Sequence, residues 1–374
     1  MNAPLLALSR RVRNTPYTSR IEQFPVQAYT VYNHVLLPSR FRGLEEDYWH
    51  LRKSVQIWDV ACERQVQLKG PDAAKLAQMM TVRDIRTYDV GRGGLVPLCD
   101  HNGKLLNDPV VFRIAEDCYW FSISDSDVAF WAGGLALGLG LDVEVSEIDV
   151  NPLAVQGPQA EDVVAEVFGE EVRAIKFFRF ETLNFRGHPL RVSRSGWSAQ
   201  GGFEILVDDW EIGGLLYDAI CEAGAKYDIG PGCPNLIERI EAGLMTYGTD
   251  ITREHTALEA GLEKYCSLDS DIDAIGIDAL RKQRAQGLPQ RIVGFNVGGD
   301  RVPGQRDPWP VMANGKKVGQ ITSVTWSPRL EYNVALGMVE LEHAPLGTDL
   351  TLVAPDAERR ATICEVPFTG ASQR

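Results

Sequence analysis

The chain has 374 residues, 44% of them hydrophobic and 24% charged, with a formal net charge of −13. That length exceeds one ordinary core and implies two or three domains of a globular protein. The negative excess repels nucleic acid and anionic membrane surfaces, so neither is expected as a partner, while a local basic pocket for an anionic ligand stays compatible with it.

Seven cysteines, an odd number without a Cys-x-x-Cys pair, argue for free thiols in a reducing cytoplasm rather than a disulfide framework. The six histidines lack paired ligand spacing, so no metal site is expected. The longest apolar run, residues 128–141, has 14 residues and four internal glycines, too short to span a bilayer. The N-terminal stretch with Leu5, Leu6, Leu8, Arg10, Arg11 and Arg13 imitates a transit peptide. It has no apolar core of signal length and reads as part of the mature fold.

In chain order, residues 42–56 read as a helix leading into Ile57-Trp58-Asp59-Val60. Residues 65–68 alternate polar and apolar, as a half-buried strand does. Gly70-Pro71-Asp72 is a turn that starts a helix over 73–80. Gly91-Arg92-Gly93-Gly94 lacks the Gly-Lys-Ser/Thr ending of a phosphate loop and is expected to be a surface turn. Residues 110–114 and 119–123 predict a hairpin across Glu116-Asp117, and Ser124-Asp125-Ser126-Asp127 offers N-cap residues to the next helix. The glycines at 133–140 follow no Rossmann strand, which excludes a dinucleotide site there. Residues 141–148 read as a strand, 159–168 as a helix, and 182–194 and 202–207 as strands. Helices are expected at 209–224 and 233–247, the second with Leu236, Ile240, Leu244 and Tyr247 on one face. Residues 280–289, polar and ending in Gly287-Leu288-Pro289, read as a linker. Beyond it come a strand at 291–297, a hairpin through Asn314-Gly315 and strands near 316–325, 332–341 and 349–353, a small β barrel or sandwich. The class is α+β with a C-terminal β domain.

Three segments carry chemistry. Asn107-Asp108-Pro109 follows a Gly-Lys turn and opens a strand. Residues 193–205 form a glycine-rich turn holding Trp197 that runs into a strand bearing Glu204. Glu238-Arg239-Ile240-Glu241-Ala242-Gly243-Leu244 and then Tyr247-Gly248-Thr249-Asp250 form a helix with a sharp exit. Taken alone, Asp108 is a turn residue, Glu204 a solvated strand carboxylate, and Arg239 and Glu241 solvated helix charges. A large aromatic in a glycine-rich turn gains little from an ordinary core, so Trp197 reads as a pocket wall, whereas Trp49, Trp58 and Trp131 read as core.

Together with Ile321-Thr322-Ser323 and Ser327-Pro328, these segments resemble the T-protein (aminomethyltransferase) family of the glycine cleavage system. Within that family, residues 9–16, 30–38, 58–66, 149–158 and 232–235 are more similar to the dimethylsulfoniopropionate demethylases. The resemblance covers nearly the whole chain. It implies an α+β, three-domain ring around a tetrahydrofolate. Residues 1–55 and 145–285 would form a discontinuous folate-binding core, 56–144 an inserted α+β domain and 286–374 the C-terminal β domain.

It further implies folate-binding acids at Asp108 and Glu204, with Arg239 a third folate residue. A carboxylate suits a pterin, because it can accept two adjacent N–H groups and charged acceptors make the stronger bonds. Trp197, with Tyr32 and Ser122 beside it, would face a small cationic methyl donor. The implied reaction moves a methyl group from dimethylsulfoniopropionate to N5 of tetrahydrofolate, giving 5-methyltetrahydrofolate and methylmercaptopropionate. Asp108, or a water it holds, would take the N5 proton. The alternatives are an aminomethyltransferase acting on a carrier protein, a demethylase of another onium compound such as a betaine, and a non-catalytic folate-binding module. The sequence departs from the pattern at Leu206, where the demethylases lead one to expect tyrosine, at Asn235, where T-proteins have arginine, and at Thr249, where asparagine is usual.

Overall fold

The computed structural model describes residues 8–368, so Leu5 and Leu6 of the N-terminal stretch lie outside the described residues. The chain divides into two compact units. One holds the chain up to Gln65 together with 147–196 and 200–234; the other holds 66–146, 197–199 and 235 onward.

The first unit is built on a six-stranded sheet, in the order Phe180–Phe185, His188–Ser193, Gly202–Val207, Asn151–Gln156, Gln56–Asp59 and Gly230–Pro231. All pairs are antiparallel except the last. Because side chains alternate along a strand, Phe203, Ile205, Val207, Leu153, Val155 and Ile57 share one face. They form a core with the helices Ala160–Phe168 and Trp210–Gly224 through Val163, Val164, Leu216 and Ile220. Each such side chain contributes about 1.5–3 kcal/mol by leaving water. The opposite face carries Gln56, Trp58, Ala154, Gln156, Ser193, Glu204 and Leu206, all buried as well. One face is thus apolar and the other largely polar. Asp209 starts the second helix by accepting the Ile212 N–H. The residues expected as one strand over 182–194 are two, folded at Arg186-Gly187 with both residues at positive φ.

The second unit contains most of a five-stranded sheet, ordered Glu144–Ile148, Gln65–Lys69, Cys118–Ser122, Val110–Ala115 and Gly93–Leu95. Helices Ala73–Met80 and Val128–Leu139 pack into its core. A second core gathers Leu258, Leu268 and Leu280. The C-terminal strands close into a six-stranded barrel, in the order Gln290–Val297, Tyr332–Glu340, Lys316–Ser327, Trp309–Ala313, Asp349–Val353 and Glu358–Cys364. The hairpin at Asn314-Gly315 forms as expected, with φ of 49° and 78°. All seven cysteines are free thiols. No helix among the described residues is long and apolar enough to cross a membrane.

Four local expectations fail for identifiable reasons. Gly93 and Gly94 lie in a buried strand rather than a surface turn, and a Cβ on either would collide with Phe112 or the Tyr88 hydroxyl. The helix expected over 233–247 is Leu236–Ala242. Gly243 takes a left-handed φ of 71° and Leu244 N–H turns back to the Arg239 carbonyl, a glycine stop. The linker expected at 280–289 is largely the helix Ile277–Gln286, held by fully buried Leu280. The Ser124–Asp127 cluster gives no side-chain cap to Val128–Leu139; its serines are engaged elsewhere, as described next.

Candidate active site

Phe203 and Ile205 point into the core, so alternation sends Glu204 to the polar face of the sheet. Glu204 is 9% exposed. Its Oε2 accepts from Ser195 Oγ at 2.5 Å, and Ser193 Oγ lies 3.0 Å from Ser195 Oγ. Among the described residues no cation pairs with Glu204. Burial pushes its pKa up, and the Ser195 bond lowers it part of the way back. Ser195 is held by the end of the strand Asn151–Gln156: Gln156 Nε2 donates to the Ser195 carbonyl at 3.2 Å. Gly196 and Gly202, at φ of 155° and 145°, press against Gln156 and the Val155 carbonyl where any Cβ would collide. Glycine at both positions lets the turn close down on the strand end.

Asp108 is held by a second serine. Asn107, fully buried, donates to the Ser124 carbonyl at 3.0 Å and to Ser126 Oγ at 2.8 Å, and accepts the Ser124 N–H at 3.0 Å. That clamp aims Ser124 Oγ at Asp108 Oδ1, 2.6 Å away. No cation pairs with Asp108 among the described residues. Solvent still reaches it, since it is half-buried, yet desolvation raises its pKa to about 6. Those two observations agree for a carboxyl crowded by protein but open on one side. Its charge also helps raise the Tyr247 hydroxyl, which burial pushes to about 12. At neutral pH Asp108 is a carboxylate able to accept a proton; as pH falls through about 6 that capacity is lost.

Arg239 is buried rather than solvated. Its Nη1 donates to Asp250 at 2.8 Å and its Nη2 to Ser323 at 2.6 Å. Fully buried Asp250 also accepts from Thr322, Ser323 and the Thr246 N–H. Glu241 is buried too and binds Ser327 at 2.5 Å and Arg329 at 2.7 Å. Trp197 is half-buried in its turn, two residues before Ala199 at a left-handed φ of 53°. Ser122, buried, ends the strand Cys118–Ser122. Tyr32 is half-buried against Val35, Leu37 and Cys62, at a two-residue turn whose Asn33 and His34 both have positive φ. Leu206 is buried on the same face as Glu204. Trp58 packs on Leu51, Val60 and Ala154, whereas Trp49 and Trp131 are half-buried.

The residues that hold the acids, Ser195, Ser124 and Asn107, have no site role in the sequence reading, where Ser124 is a cap candidate and Asn107 only a neighbour of Asp108. Ser195 stands inside the glycine-rich turn, where a hydroxyl nine residues before an acid was a usable signal. Asp59 was also missed. It is 7% exposed, accepts from Thr15 Oγ1 at 2.6 Å and the Ala61 N–H at 3.2 Å, and is raised by burial to about 6. It lines a cleft of about 1020 Å³ together with Tyr29 and Trp210. A polar residue closing an otherwise apolar Ile57-Trp58 pair was its signal.

Two family models match the chain: the GCVT N-terminal domain over residues 19–270 and the glycine cleavage T-protein C-terminal barrel domain over 290–369. The chain is 48% identical over 357 residues to dimethylsulfoniopropionate demethylase DmdA of Ruegeria pomeroyi, covering 96% of this chain and 97% of that protein. It is 29% identical over 339 residues to an aminomethyltransferase of Bacillus cereus, covering 89% and 91%. Its fold matches the crystal structure of glycine cleavage system aminomethyltransferase T from Bartonella henselae with a TM-score of 0.85 at 21% identity, over 96% and 98% of the two chains. The protein belongs to the glycine cleavage T-protein family of folate-dependent transferases.

Proposed function

We propose that the protein is a tetrahydrofolate-dependent demethylase that transfers a methyl group from dimethylsulfoniopropionate to N5 of tetrahydrofolate, giving 5-methyltetrahydrofolate and methylmercaptopropionate. The observation that carries this reading is the 48% identity, over 96% of the chain, to the Ruegeria pomeroyi demethylase. The aminomethyltransferase alternative has 29% identity behind it.

The side chains fit a folate. A pterin offers an N–H and an amino group side by side, and Glu204 is a buried acceptor whose partner is a serine and not a cation. Glu204 and Asp108 would hold the folate, with Arg239 a weaker contact because both its Nη atoms are engaged. Tetrahydrofolate supplies the nucleophilic nitrogen that receives the methyl group. Glu204 would hold the ring by its N–H groups; alignment of reacting groups offsets roughly 7–11 kcal/mol of barrier in favourable systems. Asp108 takes the displaced proton, directly or through a water. Trp197, with Tyr32 and Ser122 in support, walls the donor pocket. A sulfonium has no hydrogen-bond donor, so an aromatic face is one of the few groups that can recognise its charge. Its sulfur departs as a neutral thioether, so the leaving group needs no protonation. We place the enzyme in the cytoplasm, where its seven thiols stay reduced.

The test is a panel of donors, namely dimethylsulfoniopropionate, other sulfoniums, betaines and an aminomethyl-loaded lipoyl carrier, assayed for folate product. The sulfonium carboxylate should turn over fastest. Turnover of the carrier alone would replace this reading with the aminomethyltransferase one. Folate binding without any turnover would support a binding module. Leu206, which removes the expected tyrosine hydroxyl from the face that bears Glu204, makes the rank order of sulfoniums the informative part of the panel.

A further inference from the structure

Asp59 stands on the sheet face opposite Glu204. It ends the strand Gln56–Asp59 and pairs with Leu153, whose side chain enters the helix-covered core, whereas Glu204 pairs with Ala154 on the other face. Alternation therefore turns Asp59 away from the proposed folate face and into the cleft that holds Tyr29 and Trp210. Every residue lining that cleft belongs to the first unit. At about 1020 Å³ it has room for a small molecule. Asp59 is buried, and its two protein donors, the Thr15 hydroxyl and the Ala61 N–H, go to different oxygens. A carboxylate has about four acceptor sites, so about two stay open. No cation pairs with it among the described residues. A buried charge in that state is costly until a cation or an N–H donor reaches it.

The rest of the lining selects the sign of the ligand. Arg13 is paired with Glu147, and Arg20 holds Asp218 through Nη2 at 2.8 Å and Nε at 3.2 Å, so neither is open to an anion. Among the described lining residues that leaves Arg10 against Asp59, Glu22 and Glu211. The helix Trp210–Gly224 begins at this cleft, but Asp209 caps its positive end and Glu211 stands in its first turn. Glu22 and Asp59 act together at Tyr29, whose hydroxyl is raised by partial burial and by both their charges. Two aromatic rings lie open in the same walls, Tyr29 at 44% exposed and Trp210 at 47%, with Ile21 and Val35 as apolar neighbours. An aromatic face and a carboxylate both favour a cation. A calcium ion would take about six to eight oxygen ligands, far more than Asp59 has open.

We propose that this cleft binds a protonated primary amine, whose ammonium donates to the open acceptor sites of Asp59 while its carbon chain lies along Tyr29 and Trp210. A cation bearing N–H groups fits better than a fully methylated one, because only N–H groups satisfy the carboxylate. That preference separates this site from the donor pocket proposed for the sulfonium, and nothing in it depends on the demethylase reading.

Saturation-transfer NMR on the full chain, without folate or methyl donor, compares n-butylammonium with n-butyltrimethylammonium and n-butanol. Butylammonium should bind at least about tenfold more tightly than either of the others. Asp59→Asn should weaken its binding by about tenfold or more, and Tyr29→Leu by about two- to fivefold. Glu22→Lys should weaken it as well, by bringing a like charge to the cleft. Asn at 59 keeps an acceptor for Thr15, and circular dichroism checks that the variant folds; Tyr29→Leu and Glu22→Lys, both at exposed positions, carry the test if it does not. Dimethylsulfoniopropionate should not displace the amine. Absence of binding up to about 10 mM, butanol or the trimethylated cation bound as tightly, variants that bind like the wild type, or displacement by dimethylsulfoniopropionate would each overturn the proposal.

Discussion

Around the helix Leu236–Ala242 two buried carboxylates meet arginines: Asp250 lies 2.8 Å from Arg239, and Glu241 lies 2.7 Å from Arg329. At Glu204 and Asp108 each carboxylate meets a single serine hydroxyl. Taking a charge out of water costs several kcal/mol, and a nearby opposite charge is the usual offset. The first group is electrostatically complete within the protein and ties the helix to the barrel strand Lys316–Ser327 through Ser323 and Ser327. The second group is incomplete, and its raised pKa values are the sign of that. A ligand bringing N–H donors would supply what each of these two carboxylates lacks. What separates Glu204 and Asp108 from the arginine-paired carboxylates is the lack of a counter-ion, and that is the feature on which the proposed site rests.

The comparison can be broken first at Asp108. Asp108→Asn should lower turnover by roughly 10²–10⁴-fold while the fold persists. In the wild type kcat/KM should fall as pH drops through about 6, the point at which the carboxylate takes up its proton. That limb should vanish in the variant, and wild-type turnover there would remove Asp108 from the chemistry. Next comes the paired group. Arg239→Met leaves Asp250 buried without its cation and should cost about 3–5 kcal/mol in denaturant unfolding; a loss under about 1 kcal/mol would show that the pair does not hold the helix.

Glu204→Gln acts on the unpaired group and should spare stability. It should weaken tetrahydrofolate binding by about 1.5–3 kcal/mol by calorimetry, and unchanged affinity in a folded variant would take Glu204 out of the site. A finer test uses the sign of linkage. The folded pKa of Asp108, about 6, lies above its unfolded value near 4. The stability it contributes is therefore present below pH 4 and lost as pH rises through about 6. Asp108→Asn should be more stable than the wild type at pH 7, by about 1 kcal/mol once partial exposure is allowed for, and equal to it at pH 4. A gap that widens toward pH 4 would reverse the assignment. The smallest effect belongs to Trp197→Leu, which should cost about 0.5–2 kcal/mol in sulfonium binding and less for a neutral thioether of the same shape. Equal losses would make Trp197 a packing residue.

What the sequence made legible was local. The Asn314-Gly315 hairpin, the Asp209 start of Trp210–Gly224 and the alternation that turns Glu204 away from the core all follow from residues within a few positions of each other. What it hid depended on distant partners. Leu280 makes a helix out of a polar stretch because it has a core to enter. Ser124 and Ser126 look like caps until Asn107, 17 and 19 residues away, is seen to bind them. Arg239 and Glu241 do not face each other along their helix, and only the barrel strand shows why both are buried. Asp108 and Glu204 were read from a family motif; their serine partners, which explain their electrostatics, needed the fold.

The most direct test follows the methyl group itself. The protein is incubated with tetrahydrofolate and dimethylsulfoniopropionate carrying isotopically labelled S-methyl groups, and the label is traced by NMR. The account predicts label on N5 of the folate, with one methylmercaptopropionate formed for each methyl moved. Label that stays on sulfur, while an aminomethyl-loaded carrier is consumed by the same protein, would contradict it.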